Sequence, residues 1–107
     1  MRILLADDHP MISTAIEALL RGTSFELVGI AGSGEEALQK TEQLEPDILL
    51  LDLQMPGATG MDVLRRIRSD GRKVKVVLLT AAIDEASLIE ARSLKVQGMV
   101  LKNSDPD

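Results

Sequence analysis

The sequence predicts an α/β fold, a doubly wound five-stranded parallel sheet in one domain over residues 1–107. Three observations predict it. Five short apolar runs alternate with segments of helical periodicity, a rhythm that requires crossover connections and so parallel strands. Most of those runs are continuously apolar rather than alternating, as strands covered on both faces are. Gly, Pro and short polar clusters punctuate the junctions.

Ile3-Leu4-Leu5-Ala6 reads as a buried first strand ending in Asp7-Asp8. Pro10 suits the first turn of a helix, and Ile12, Ile16, Leu19 and Leu20 recur at helical spacing up to Gly22. Leu27 to Ala31 forms a second strand, expected at an edge. Ser33 is the N-cap of the next helix, with Glu36 completing a capping box. That helix carries Ala37, Leu38, Thr41 and Leu44 on one face and stops before Pro46.

Ile48 to Leu51 is the most apolar strand and ends in Asp52. Gln54 to Gly60 is a loop, with Gly57 and Gly60 serving its geometry. Met61, Val63, Leu64 and Ile67 mark a third helix closed by Asp70-Gly71, and Val76 to Leu79 leads a fourth strand to Thr80. A fourth helix is expected from Asp84 to Leu94, then a fifth strand from Gly98 to Leu101 ending at Lys102. Four of the five strands read as buried on both faces. Ser104 or Asp105 with Pro106 gives a helix-start signal, but the sequence ends at Asp107. The expectation is a chain cut before a fifth helix, leaving an apolar face open to self-association.

With 107 residues the chain can build one core. Phe25 is its sole aromatic, so that core is made of Leu, Ile, Val, Met and Ala. A net charge of −5 opposes a nucleic-acid surface. Arg65, Arg66, Arg68, Arg72, Lys73 and Lys75 crowd one stretch and read as cations complementing a helix C-terminus. The absence of cysteine excludes disulfides and thiolate-bound metals. The first strand follows Met1-Arg2 directly, and no apolar run reaches membrane-spanning length, so a cytoplasmic location without membrane contact is expected.

Open parallel sheets bind ligands beyond the C-terminal ends of their strands. Those ends carry Asp7 and Asp8, Asp52, Thr80 and Lys102: carboxylates, a hydroxyl and an amine on one rim. Converging carboxylates raise one another's pKa, and a divalent cation relieves them. Hard oxygen ligands with room for water suit Mg²⁺, with Mn²⁺ as an alternative. Asp8 and Asp52 would ligate directly, Asp7 directly or through water, and the backbone carbonyl of Gln54 could add a ligand. Asp52 can then act as a carboxylate nucleophile toward a phosphoryl group. Lys102 supplies a second positive charge and Thr80 a hydroxyl donor. His9, beside the acidic pair, is set aside because Mg²⁺ sites use oxygen.

Jointly, Asp7-Asp8, Asp52 within Leu51-Asp52-Leu53-Gln54-Met55-Pro56-Gly57, Thr80-Ala81 and Lys102 resemble the receiver domains of bacterial two-component response regulators. Asp8-His9-Pro10 and Gly98 to Ser104 resemble the subgroup with a LuxR-type helix-turn-helix output domain. The resemblance implies a flavodoxin-like strand order 2-1-3-4-5 and phosphorylation of Asp52 by a sensor histidine kinase. It also implies a switch in which Thr80 moves toward the phosphorylated Asp52, and transcription regulation by a DNA-binding domain absent from this chain. It places the side chains of Gln54 and Ala82 near the phosphoryl group, where they would tune hydrolysis. Met99 stands where the family usually carries the Tyr or Phe that changes rotamer with Thr80. A thioether fills the same space but exposes no hydroxyl. The missing fifth helix is a second departure, since it helps form the family's dimerisation and output face.

Other functions on this fold fit less well. Phosphatases with an aspartyl nucleophile place a second Asp two residues on, where this chain has Gln54. A flavin or nucleotide module would want a stacking aromatic or a Gly-rich first turn. An interaction domain that works without phosphorylation remains open on the strength of Met99. The phosphoacceptor reading makes the chain a signalling domain rather than an enzyme.

Overall fold

The computed structural model describes residues 1–102. The helix-start signal at Ser104, Asp105 and Pro106 lies outside them. The elements are β1 (Arg2–Ala6), α1 (Pro10–Leu20), β2 (Glu26–Ala31), α2 (Gly34–Leu44), β3 (Ile48–Asp52), α3 (Gly60–Ser69), β4 (Lys75–Thr80), α4 (Glu85–Ser93) and β5 (Gly98–Leu101). They build one parallel sheet in the order β2-β1-β3-β4-β5, the flavodoxin-like arrangement.

This order fixes the layers. The chain first steps outward from β1 to β2, then crosses back over β1 and advances through β3, β4 and β5. Right-handed crossovers therefore place α1 on one face and α2, α3 and α4 on the other. Alternation along the strands sends Leu4, Ala6, Leu49, Leu51, Val76 and Leu78 to the three-helix face. There they meet Ala37, Met61, Val63, Leu64, Ile67 and Ala91 in a single core built without an aromatic ring. Each large aliphatic chain so buried contributes about 1.5–3 kcal/mol.

The other face is thinner. Ile3, Leu5 and Leu79 are buried there, yet α1 buries none of its own residues. Met11 and Leu19 on α1 are exposed, as are Ile30 of β2 and Val100 of β5. The expectation of four strands buried on both faces is corrected to three. Only β1, β3 and β4 are covered, because β2 and β5 are both sheet edges.

Local signals act as anticipated at α2, with one shift. Ser33 Oγ accepts the Glu36 N–H at 3.2 Å, but the Glu36 carboxylate reaches back to the N–H of Gly32 rather than that of Ser33. A full capping box that the sequence reading passed over starts α3: Thr59 and Asp62 exchange side-chain and backbone hydrogen bonds. It seats the helix against the end of β3, where a Cβ on Gly60 would collide with the Asp52 carbonyl. Gly57, at φ +77°, makes the preceding turn.

The three arginines of the basic stretch that lie on α3 serve the fold. Arg65 pairs with Asp62 and Glu90, and Arg66 pairs with Asp70. The Arg68 guanidinium donates to the carbonyls of Leu94, Val74, Arg72 and Lys95, closing the base of the sheet. Among the described residues no helix is long and apolar enough to cross a membrane.

Candidate functional site

The register of the sheet levels the strand ends. Asp52 lies beside Leu79, and Thr80 beside Leu101. The Lys102 N–H donates to the Thr80 carbonyl at 2.7 Å, and the Asp7 N–H to the Ala31 carbonyl at 2.9 Å. Backbone bonds between neighbouring strands thus aim both residues at the rim where β3 ends in Asp52.

Three of the anticipated residues meet directly. Lys102 Nζ stands 2.9 Å from Asp7 Oδ2 and 3.2 Å from Asp52 Oδ2. Both carboxylates are fully buried, and the lysine side chain is 13% exposed. The second oxygen of each is held by an amide: Asp7 Oδ1 accepts the His9 N–H at 2.8 Å, and Asp52 Oδ1 the Gln54 N–H at 3.0 Å. Asp8 is partly exposed at the edge of the group. One ligand atom from each of Asp7, Asp8, His9 and Asp52 falls within 4.8 Å of the others.

Burial pushes the Asp52 carboxyl above its ordinary value; the Gln54 amide and Lys102 oppose that, and the nearby charge of Asp7 adds to it. Burial acts on Asp7 in the same sense, but the adjacent Lys102 ammonium and the hydrogen bonds from His9 outweigh it and hold Asp7 low. Burial would lower Lys102, but the carboxylates of Asp7 and Asp52 beside it raise it, so the ammonium persists.

The site fits a divalent cation. Three carboxylates facing one ammonium leave an excess of two negative charges, which a dication cancels. Asp7 Oδ2 is buried without a hydrogen bond. The lysine approaches it as a charge partner outside hydrogen-bond direction, so a buried oxygen lone pair is still unmatched. Asp7, Asp8 and Asp52 offer the carboxylate oxygens that would face such an ion.

Other anticipated residues sit nearby in different engagements. Thr80 is fully buried at the end of β4, and its Oγ1 donates to the Ala82 carbonyl at 2.6 Å. It also accepts the Ala82 N–H, so the hydroxyl is tied to the β4–α4 loop rather than to Asp52. Gln54 and Ala82 are exposed loop residues. Gln54 engages the site through its backbone amide N–H, which donates to Asp52 Oδ1. Met99 pairs with Leu78 in register and packs, half-buried, against the three-helix core.

His9 is the residue set aside that the fold brings in. Its Nδ1 lies 2.7 Å from Asp7 Oδ1, 3.3 Å from Asp8 Oδ1 and 3.0 Å from Lys102 Nζ. Adjacency to the acidic pair was the available signal, but which way the ring turns is not written in the sequence.

The strand ends of this sheet thus hold one lysine shared between two buried aspartates. Residues 3–107 match the response regulator receiver domain. The chain belongs to that family. It is 34% identical over 106 residues to the nitrate/nitrite response regulator protein NarL of Escherichia coli, covering 98% of this chain and 49% of that protein. It is 33% identical over 105 residues to response regulator protein VraR of Staphylococcus aureus, covering 97% and 50%. This receiver chain thus spans about half the length of the curated relatives it matches. The signal receiver domain of a NarL-like response regulator from Mycobacterium tuberculosis superposes with a TM-score of 0.84 at 34% identity, covering 96% of this chain and 84% of that one. A LuxR-family DNA-binding response regulator from Staphylococcus aureus superposes at 0.85 with 29% identity, covering 94% and 85%.

Proposed function

We propose that this receiver domain is a Mg²⁺-dependent phosphoacceptor, with Asp52 the residue phosphorylated by a sensor histidine kinase. The observation that carries the reading is the single ammonium of Lys102 held between Asp7 and Asp52, with Asp8 beside them.

The Asp52 carboxylate attacks the phosphorus of a phosphohistidine on the kinase. A P–O bond to Asp52 forms, the P–N bond breaks, and the imidazole leaves with the electron pair. Asp7, Asp8 and Asp52 would hold the divalent ion, with the Gln54 backbone carbonyl as a further oxygen donor. Bound there, Mg²⁺ or Mn²⁺ supplies positive charge against the phosphoryl oxygens. Lys102 loses its partner oxygen on Asp52 as the acyl phosphate forms and pairs with a phosphoryl oxygen instead. Thr80 exchanges its bond to the Ala82 carbonyl for one to the phosphoryl group, drawing the β4–α4 loop toward Asp52. Met99 takes up the repacking beside β4, and the Gln54 and Ala82 side chains set how water reaches the acyl phosphate.

Such a domain assists its own phosphorylation and dephosphorylation and turns over no small substrate. Its output is altered partner contact, for which the thinly covered sheet face bearing Ile30 and Val100 is a candidate surface for homodimerisation or other self-association. We place it in the cytoplasm as the receiver unit of a transcription regulator whose DNA contacts belong to a separate C-terminal domain.

Incubation with Mg²⁺ and acetyl phosphate, followed by intact mass, tests the assignment. One phosphoryl adduct is expected, absent in Asp52→Asn and lost with chelator. An adduct that persists in Asp52→Asn would reassign the acceptor.

A further inference from the structure

We propose that His9 is a nitrogen ligand of this metal site, so that the site takes a borderline first-row ion such as Zn²⁺ more tightly than Mg²⁺. The inference rests on the metal site of the reading above and adds a donor of a different kind.

The ring is held in place by the backbone around it. His9 is the N-cap residue of α1 in extended conformation, with no side-chain capping bond. Its N–H is tied to Asp7 Oδ1, and Pro10 restricts it to extended backbone. The imidazole is thereby free of any capping duty and turned into the acidic group. Nδ1 lies within 3.7 Å of carboxylate oxygens from Asp7, Asp8 and Asp52. An open cleft lined by Asp7, Asp8, His9, Pro10 and Ser13 leads to it from solvent.

Its present partners are incompatible with one another. Nδ1 is 2.7 Å from an acceptor, Asp7 Oδ1, and 3.0 Å from a donor, Lys102 Nζ. A ring nitrogen presents either a proton or a lone pair, so it serves one of the two and not both. The fully buried Asp7 is unmatched as well, through Oδ2. An electron-pair acceptor resolves both problems, because Nδ1 and the carboxylates can all donate to it.

The chemistry of the added donor sets the selectivity. Mg²⁺ keeps oxygen ligands and water and gains little from an imidazole. Zn²⁺ binds imidazole and carboxylate together readily, and affinity at mixed N/O sites rises along the first row from Mn²⁺. His9 therefore separates the two classes of ion at a site that carboxylates alone would leave to geometry and availability.

The full chain is titrated calorimetrically with ZnCl₂ and with MgCl₂, as wild type and as His9→Gln. The exposed position of His9 lets that variant fold. His9→Gln should weaken Zn²⁺ by roughly 10- to 100-fold, the scale on which metal sites respond to loss of a supporting group, and leave Mg²⁺ within about twofold. The imidazole gives a second readout: His9 is the single histidine, so its two ring ¹⁵N resonances stand alone, and Nδ1 should show the large shift of a metal-bound nitrogen with Zn²⁺ but only the smaller shift of altered carboxylate neighbours with Mg²⁺. Equal Zn²⁺ affinity in wild type and variant, or a ring signal indifferent to Zn²⁺, would overturn the assignment. Failure of the underlying site has another signature, Mg²⁺ binding unaffected by Asp8→Asn and Asp52→Asn.

Discussion

The two ends of the sheet handle charge in opposite ways. At the base, every Arg on α3 finds its complement within the fold. Arg68 closes on the carbonyls of Leu94 after α4 and Val74 before β4, and Arg65 and Arg66 pair with carboxylates at the surface. At the rim, Asp7 and Asp52 are buried with one lysine to share, and Asp8 and His9 crowd the same space. Charges at the base complete the structure. Among the described residues, charges at the rim leave a negative excess of the kind a bound cation would neutralise. A fold that satisfied both ends equally well would have nothing to respond with.

Removing the shared cation should break this contrast most sharply. Lys102→Ala leaves two buried carboxylates facing each other, and breaking a fully buried pair costs about 3–5 kcal/mol. The partial exposure of the rim brings the expected loss to about 2–3 kcal/mol in EDTA, measured by urea unfolding, with Mg²⁺ restoring much of it. Phosphoryl uptake should fall in the same variant even with Mg²⁺ saturating. Arg68→Ala tests the other end. It gives up charged hydrogen bonds to four carbonyls, a loss of about 1.5–3 kcal/mol, and no Mg²⁺ concentration should recover it.

Asp52→Asn should act in the opposite direction. Its carboxyl is raised above the ordinary 3.8 in the folded state, so the fold prefers it protonated, and stability is lost as pH rises through the folded value. The variant removes that loss. In EDTA at neutral pH its Tm should exceed wild type by a few degrees, given ~4–8 °C per kcal/mol for a domain of this size. Asp7 has the reverse sign. Held below 3.8, it stabilises the fold above that pH, and the contribution disappears as pH falls through its folded value. Acid unfolding of Asp7→Asn should therefore be less steep than that of wild type. The smallest effect belongs to Arg66→Ala, whose exposed pair with Asp70 is screened by water and salt. Its Tm should not move.

Much of the fold was legible because its signals are local. Apolar runs, Ser33 before α2 and Pro10 opening α1 state where elements begin and end, and the α/β rhythm makes the strands parallel. The Thr59–Asp62 box was hidden inside a stretch that Gly and Pro marked as loop. The thin α1 face was legible only as an expectation about a missing helix, whereas the exposure of Val100 and Ile30 also follows from the edge positions of their strands. At the rim, the strand-end residues could be named from their positions, but their engagements could not. Thr80 bonded to Ala82 and His9 turned toward Asp7 are rotamer choices, decided by atoms that arrive from other elements.

Sequence by itself determined the order of elements, the identity of the residue at each strand end and the aromatic-free core, since periodicity and turn chemistry act over a few residues. Tertiary structure alone decided that Lys102 reaches both Asp7 and Asp52 and that the His9 ring joins them. Those contacts depend on the register between strands up to 95 positions apart (Lys102 less Asp7), and no short stretch of chain contains that register.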